Sequence, residues 1–136
     1  MNGAVLRHLL VPIALHPDGI PLRLPAHETT NGSLRLIHGP EPVPQRTSRA
    51  LGAAQLLFHA TGLETRDARF IGHDEGRLEH GTMWHAYLCR IKPPVRDRWK
   101  HVAPGGMRIL RWCRIDSELT LSDADAACLR WIRSLL

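Results

Sequence analysis

The sequence lacks the features of an exported, membrane-spanning or disulfide-stapled protein. Its 136 residues contain three cysteines, which are far apart and show no CxxC spacing. An odd number without a framework fits a reducing, cytoplasmic setting. The longest apolar run, Leu9 to Leu15, includes Pro12 and is too short to span a bilayer, so we expect no membrane partner. No small-residue cleavage site follows the N-terminal segment, and we expect no export signal.

Motifs of several common catalytic classes are also missing. The chain has no G-x-S-x-G nucleophile elbow, no Walker loop and no G-x-G-x-x-G fingerprint. Aromatic residues make up only 5% of the chain and the arginines are scattered. Nucleic-acid surfaces need a basic stripe with stacking aromatic rings, so a nucleic-acid-binding module ranks last among our hypotheses. Such a module would bind with a steep salt dependence.

The remaining composition is that of an ordinary folded domain with an excess of basic residues. Hydrophobic residues make up 43% of the chain and charged residues 23%, as in typical globular proteins. This length suits a single domain over residues 1–136, because it buries enough apolar surface for one core. The formal net charge of +5 favours anionic partners, such as phosphate-bearing small molecules.

The predicted elements follow the order strands, helix, strands, helix. We predict strands over 4–15, 20–24, 34–37, 64–72, 82–91 and 107–115, and helices over 45–63 and from 122 to the C-terminus. Between them we predict a polar loop over 26–33, a charged loop over 73–81 and a long loop over 92–106. Prolines in 20–24 and just after it favour an edge strand, and apolar residues on both faces of 82–91 favour a central one. This order predicts an α/β or α+β sandwich.

Both ends of the first helix are marked in the sequence. Thr47 or Ser48 can cap its start, and Gly62 can end it. The second helix begins with a pattern like a capping box, in which Asp125 follows Ser122 by three residues. His85 lies on the central strand, where it is either a hydrogen-bonded core histidine or a ligand. The cysteines lie in apolar patterns and are expected to be inert core thiols.

The element order, with a glycine-containing loop before a helix that ends in Gly62-Leu63, resembles the Nudix family. Further similarities are the segments LHPDG, ARFIG and WHAYLCRI, and the pairing of Trp99-Lys100-His101 with a strand ending in Trp112. The resemblance covers nearly the whole chain. It implies a Nudix-like α/β/α sandwich with a mixed β-sheet, and hydrolysis of nucleoside diphosphates linked to another group. Carboxylates on the family's helix bind Mg²⁺ or Mn²⁺ against the substrate pyrophosphate.

The family signature is Gly, five residues, Glu, seven residues, Arg-Glu-apolar, one residue, Glu-Glu, one residue, Gly-apolar. We align it on Gly62 as the closing glycine. The Arg-Glu pair then falls on Gln55 and Leu56, the Glu-Glu pair on His59 and Ala60, the upstream glutamate on Thr47, and the opening glycine on Glu41, or on Gly39 with a loop two residues longer.

These substitutions remove the chemistry that the signature carries. Hard divalent ions prefer carboxylate oxygens, which the aligned helix positions lack. We therefore expect a degenerate site with no catalytic residue, no metal ligand and no cofactor. The apolar side chains imply that the old cleft is filled, or that a homodimer or partner interface covers it.

The first hypothesis is a non-catalytic function, either as an interaction module or in binding a ligand. Polar residues near the expected cleft favour a nucleotide or another phosphorylated ligand that is bound without hydrolysis. Arginine recognises phosphate through bidentate hydrogen bonds. The alternative is ordinary polar surface, and Trp99 either packs under its loop or stacks on a ligand ring. The residues expected to bind the ligand are Arg35, His38, Gln55, His59 and Trp99.

A hydrolase with substitute carboxylates is the second hypothesis, and Mg²⁺ or Mn²⁺ would be its cofactor. Glu75 and Asp97 are its candidate catalytic residues, since Asp97 could orient water if a metal were bound. Asp74, Glu75 and Glu79, with His73 and His80, are either a replacement metal site or a solvated charged loop.

Overall fold

Alternating apolar residues and two capped helices build the fold over residues 7–41, 48–117 and 121–136, which the computed structural model describes. These ranges form two four-stranded β-sheets and two α-helices, a mixed architecture that confirms the predicted fold class. The elements are β1 (Arg7–Ala14), β2 (Arg23–Glu28), β3 (Leu34–Leu36), β4 (Gly39–Pro40), α1 (Arg49–Thr61), β5 (Thr65–Glu75), β6 (Thr82–Ile91), β7 (Arg98–Ala103), β8 (Gly106–Arg114) and α2 (Asp123–Leu135).

The first sheet has the strand order β4-β1-β6-β5, and the second has the order β3-β2-β8-β7. Strands β1 and β6 are parallel, whereas the other pairs are antiparallel, so the first sheet is mixed. Strand β6 lies inside its sheet and buries residues on both faces, among them Ala86 and Tyr87. This position confirms the central strand predicted from its apolar pattern.

The two helices cover opposite faces of the first sheet. Successive side chains of a strand point to opposite faces. Leu10 of β1 accordingly packs in one cluster with Leu57 of α1, and Val11 packs in another with Leu129 of α2. Because β1 is buried on both faces, its sequence is a continuous apolar run and not an alternating one.

Helix α1 begins and ends where its caps predict. The Ser48 hydroxyl accepts a hydrogen bond from the backbone N–H of Leu51 at 3.2 Å. Gly62 has a φ of 79°, and its N–H bonds to the Phe58 carbonyl at 2.7 Å. The predicted residues 45–47 lie outside the described ranges. In α2 the Ser122 hydroxyl accepts from the N–H of Asp125 at 3.3 Å, which confirms the predicted start.

Three predicted loops contain strand residues, and these predictions were wrong. Strand β2 runs to Glu28, β5 runs to Glu75, and β7 occupies residues 98–103 of the predicted long loop. All three segments are rich in polar residues, so pairing with a neighbouring strand decides their conformation and local hydrophobicity does not. The edge-strand prediction was also wrong, because β2 lies between β3 and β8. Pro25 lies just before the residues of β2 that pair with β3.

The three cysteines are buried and unbridged. Burial raises the pKa of the Cys89 and Cys128 thiols to about 12. They remain protonated at neutral pH and therefore have little nucleophilic character, as predicted for core thiols. In the described part of the chain, neither helix has the length and apolar character needed to cross a bilayer.

Candidate functional site

A cleft of about 540 Å³ opens between α1, β4 and the turn that joins β7 to β8. Helix α1 contributes residues one turn apart, which lie on the same side of a helix. The cleft-lining residues of α1 include Gln55, Leu56, His59 and Ala60. They are the positions onto which the arginine and glutamate pairs of the family signature fall.

Leu56 fills the part of the cleft next to the glycine-containing loop. A Cβ atom added to Gly39 would lie 2.6 Å from Cδ1 of Leu56, so any larger residue at this position would have to displace the leucine side chain. The leucine therefore packs directly on the bare backbone of Gly39 at the start of β4. The sequence suggested that the old cleft is either filled or covered by an interface. Leu56 fills this part of the cleft, while the rest of the cleft is open.

The donor set of the cleft does not fit a hard divalent cation. Its described lining residues include one amide and two imidazoles, from Gln55, His38 and His59, and no carboxylate. Mg²⁺ requires oxygen ligands in a near-octahedral array. Throughout residues 7–41, 48–117 and 121–136, no three His, Cys, Asp or Glu side chains are grouped as a metal site would need. The residues present thus do not fit the metal ions of the family.

Arg108 of β8 is a cleft residue that the sequence analysis missed. Its guanidinium forms no hydrogen bond or ion pair with any other described residue. The side chains of Gln55 and His59 also form no hydrogen bond with another described residue. The hairpin of β7 and β8 brings Arg108 to α1, and His101 of β7 anchors that hairpin through a 3.0 Å contact with the His59 carbonyl. Because we predicted a loop over 92–106, the prediction did not include this hairpin.

Arg35 and His38 have a partner that their predicted role did not include. The Asp125 carboxylate is buried, and accepts hydrogen bonds from Arg35 Nε at 3.0 Å, Leu36 N at 3.0 Å and His38 Nε2 at 3.2 Å. Burial raises the pKa of Asp125, but the bonds from His38 and Leu36 outweigh it, so the pKa lies below its usual value. His38 also lines the cleft, whereas Arg35 does not.

Trp99 lies outside the cleft. Its indole Nε1 donates to the Thr61 carbonyl at 2.7 Å, and its ring lies 5.7 Å from that of Trp112. It borders a smaller cavity of about 300 Å³ at the C-terminal end of α1. Of the two alternatives for this side chain, these contacts correspond to packing.

The substitute carboxylates are not brought together at the cleft. Oδ2 of Asp74 accepts from the backbone N–H groups of Arg77 and Leu78 at 3.1 Å and 2.9 Å, which closes the turn after β5. Glu79 is paired with Arg7 and Thr82. Glu75 borders a separate cavity with His73 and Asp74, while His80 and Asp97 are exposed. In the described chain, none of these carboxylates lines the cleft.

No protein-family model and no curated protein matches the sequence. Solved structures do match the fold. A MutT from a study of Aliivibrio salmonicida and Vibrio cholerae has a TM-score of 0.63 and 11% identity, covering 95% of this chain and 97% of that one. An ADP-ribose pyrophosphatase from Streptococcus suis has a TM-score of 0.61 and 16% identity, covering 93% and 92%. A Nudix hydrolase from M. smegmatis has a TM-score of 0.58 and 18% identity, covering 95% and 85%. At these identities the likeness establishes the fold alone.

Proposed function

We propose that this chain, which has the Nudix fold, binds a phosphate-bearing ligand in its cleft without a metal ion and without hydrolysing it. One observation carries the proposal. The cleft presents Arg108, Gln55 and His59 as hydrogen-bond donors that no other described side chain satisfies, and none of its described lining residues is a carboxylate.

These donors suit an anion. A guanidinium binds two phosphate oxygens at once, and an amide or imidazole N–H adds further bonds. In the family, metal ions held by carboxylates neutralise the pyrophosphate. Here the positive charge belongs to Arg108 itself, so the ligand can be held without the ion that would activate water for attack.

The size of the cleft and the nature of the neighbours support a nucleotide-like ligand. A volume of about 540 Å³ lies within the range of small-molecule sites. Apolar surface from Leu56 and Pro104 lies beside the polar donors, as such sites usually provide. Two structural neighbours are an ADP-ribose pyrophosphatase and an ADP compounds hydrolase, whose names both refer to ADP derivatives. We therefore place nucleoside diphosphate derivatives first among the ligands.

Calorimetry and a hydrolysis assay test the proposal together. Purified protein is titrated with ADP, ADP-ribose and pyrophosphate in EDTA, and the same compounds are then incubated with protein plus Mg²⁺ or Mn²⁺. We expect binding in EDTA and product release at background. Absence of binding to all three compounds would refute the ligand class.

Metal-dependent turnover would favour the second hypothesis, a hydrolase with substitute carboxylates. Turnover that disappears in Glu75→Gln or Asp97→Asn would identify the carboxylate responsible. Those variants therefore separate an inactive binding protein from an active hydrolase.

A further inference from the structure

A row of apolar side chains runs along the side of α1 that faces away from the cleft. Leu51, Ala54 and Phe58 recur at steps of three and four residues, so they lie on one side of the helix. Leu51 is 51% exposed and Phe58 is 45% exposed. Leu57 faces the first sheet, and Leu56 lies on the opposite side of the helix, packed on β4. Because β4 and β5 are the two edges of that sheet, the apolar row lies on the β5 side.

Phe70 of β5 adds a third large exposed side chain at the same place. It is 49% exposed, and its ring centre lies 5.6 Å from that of Tyr87. Tyr87 packs in one cluster with Leu57 of α1, so Phe70 points to the face of the sheet that α1 covers. We call Leu51, Ala54, Phe58 and Phe70 together the α1–β5 face.

Strand β5 forms an edge of the first sheet over 11 residues. Its backbone pairs with β6 on one side, and no described strand pairs with it on the other. Edge strands of this length usually carry charges that keep other strands away. The charges of β5 are arranged so that they oppose some pairings and favour one.

Arg66 and Glu75 lie near opposite ends of β5, with Phe70 between them. Both are exposed, and neither side chain forms a hydrogen bond or ion pair with another described residue. In an antiparallel pair of β5 strands, the Arg66 end of one copy meets the Glu75 end of the other, so opposite charges face each other at both ends. A parallel pair in the same register would place like charges side by side, which is unfavourable.

We propose that two copies of this chain associate through the α1–β5 face, with their β5 strands antiparallel about a two-fold axis near Phe70. In such an interface both copies contribute the same surface. The two Phe70 rings then meet close to the axis, and Leu51 and Phe58 of each helix extend the contact on one face of the joined sheets. Exposed apolar surface beside an unpaired strand edge is thereby buried in one step.

The apolar row matters because β5 is not a regular edge. Bulges between Thr65 and Asp67 and between Phe70 and Gly72 interrupt its register with β6. Backbone pairing with a second copy is therefore interrupted as well, and α1 supplies contact that the edge alone would lack. The cleft lies on the other side of α1 and stays open in this arrangement, so the inference does not depend on the proposed ligand.

Sedimentation velocity over a series of protein concentrations tests the association. We expect the wild type to form a dimer with a Kd of roughly 10 μM or tighter, and Phe70→Lys to remain a monomer over the same range. Val102→Lys is the matched control, because it places the same charge on an exposed apolar residue of β7, an edge of the second sheet. It should dimerise like the wild type. A wild type that is monomeric at roughly 100 μM, or a Phe70→Lys variant that dimerises equally well, would overturn the proposal.

An exchange of charges tests the antiparallel arrangement and leaves the apolar face intact. Arg66→Glu and Glu75→Arg each place like charges together at both ends of the paired strands, so each alone should raise the Kd of the dimer by about tenfold or more. The double variant Arg66→Glu/Glu75→Arg restores opposite charges with their positions exchanged, and its Kd should return to within about threefold of wild type. Circular dichroism checks that all three variants are folded. If the two substitutions weaken the dimer additively, the β5 strands are not antiparallel neighbours and the proposal fails.

Discussion

Polar side chains with the same predicted role meet opposite environments at the start of α2 and along α1. Arg35 and His38 are hydrogen-bonded to a buried carboxylate, that of Asp125. Gln55 and His59 face an open cleft, where their side chains and the Arg108 guanidinium have no hydrogen-bond partner among the described residues. Donors that a buried carboxylate already satisfies stabilise the fold, whereas donors left without a partner remain available to a ligand.

Removal of the buried carboxylate should have the largest effect on stability and tests the first half of this contrast. Asp125→Ala leaves Arg35, His38 and the Leu36 N–H without their acceptor, and we expect it to lower the free energy of unfolding by about 3 kcal/mol. Urea denaturation measures the change. The control is Asp123→Ala at the exposed start of the same helix, which should cost no more than about 1 kcal/mol. Equal losses in the two variants would contradict the structural role given to Asp125.

Arg108→Gln tests the opposite side of the comparison. Since Arg108 has no ion-pair partner in the described ranges, the variant should unfold like the wild type. Its affinity for ADP-ribose should fall by about 2 kcal/mol, or roughly thirtyfold in Kd, because a charged hydrogen bond to phosphate is lost. Calorimetry in EDTA gives the affinity.

Arg66→Gln, at an exposed arginine of β5, controls for the change of net charge. It should leave the Kd unchanged. If both arginine variants weaken binding equally, the anion is attracted by the overall charge of the protein and not by the cleft.

The sequence predicted what local chemistry decides. The caps of α1 were legible because Ser48 and Gly62 act within a few residues of themselves. The central position of β6 followed from apolar residues on both of its faces. The same reasoning predicted the Nudix-like fold, since Gly62, Leu63 and the apolar position at Leu57 are spaced along one short segment. What these features share is that each depends on neighbours in the sequence.

Long-range pairing was not predictable in this way. Asp125 was recognised as a capping-box residue, but its carboxylate binds Arg35, 90 positions earlier in the chain. Arg108 escaped notice because β7 is polar and was read as loop, so the hairpin that carries Arg108 to α1 was missing. The role of Asp125 depends on the position of α2 beside β3, and that of Arg108 depends on the pairing of β7 with β8. A single sequence displays neither arrangement.

Arg35→Met is the variant with the smallest expected effect, and it compares a structural arginine with the cleft arginine. The Arg35 side chain is 47% exposed, so water can replace part of its bond to Asp125, and we expect a loss of about 1 kcal/mol in the free energy of unfolding. Binding of ADP-ribose, measured by calorimetry, should stay within about twofold of wild type, since Arg35 does not line the cleft. Arg35 and Arg108 carry the same charge, so only their surroundings distinguish the two variants. A loss of affinity as large as that of Arg108→Gln would place Arg35 in the binding site, and the division between structural and ligand-binding donors would then fail.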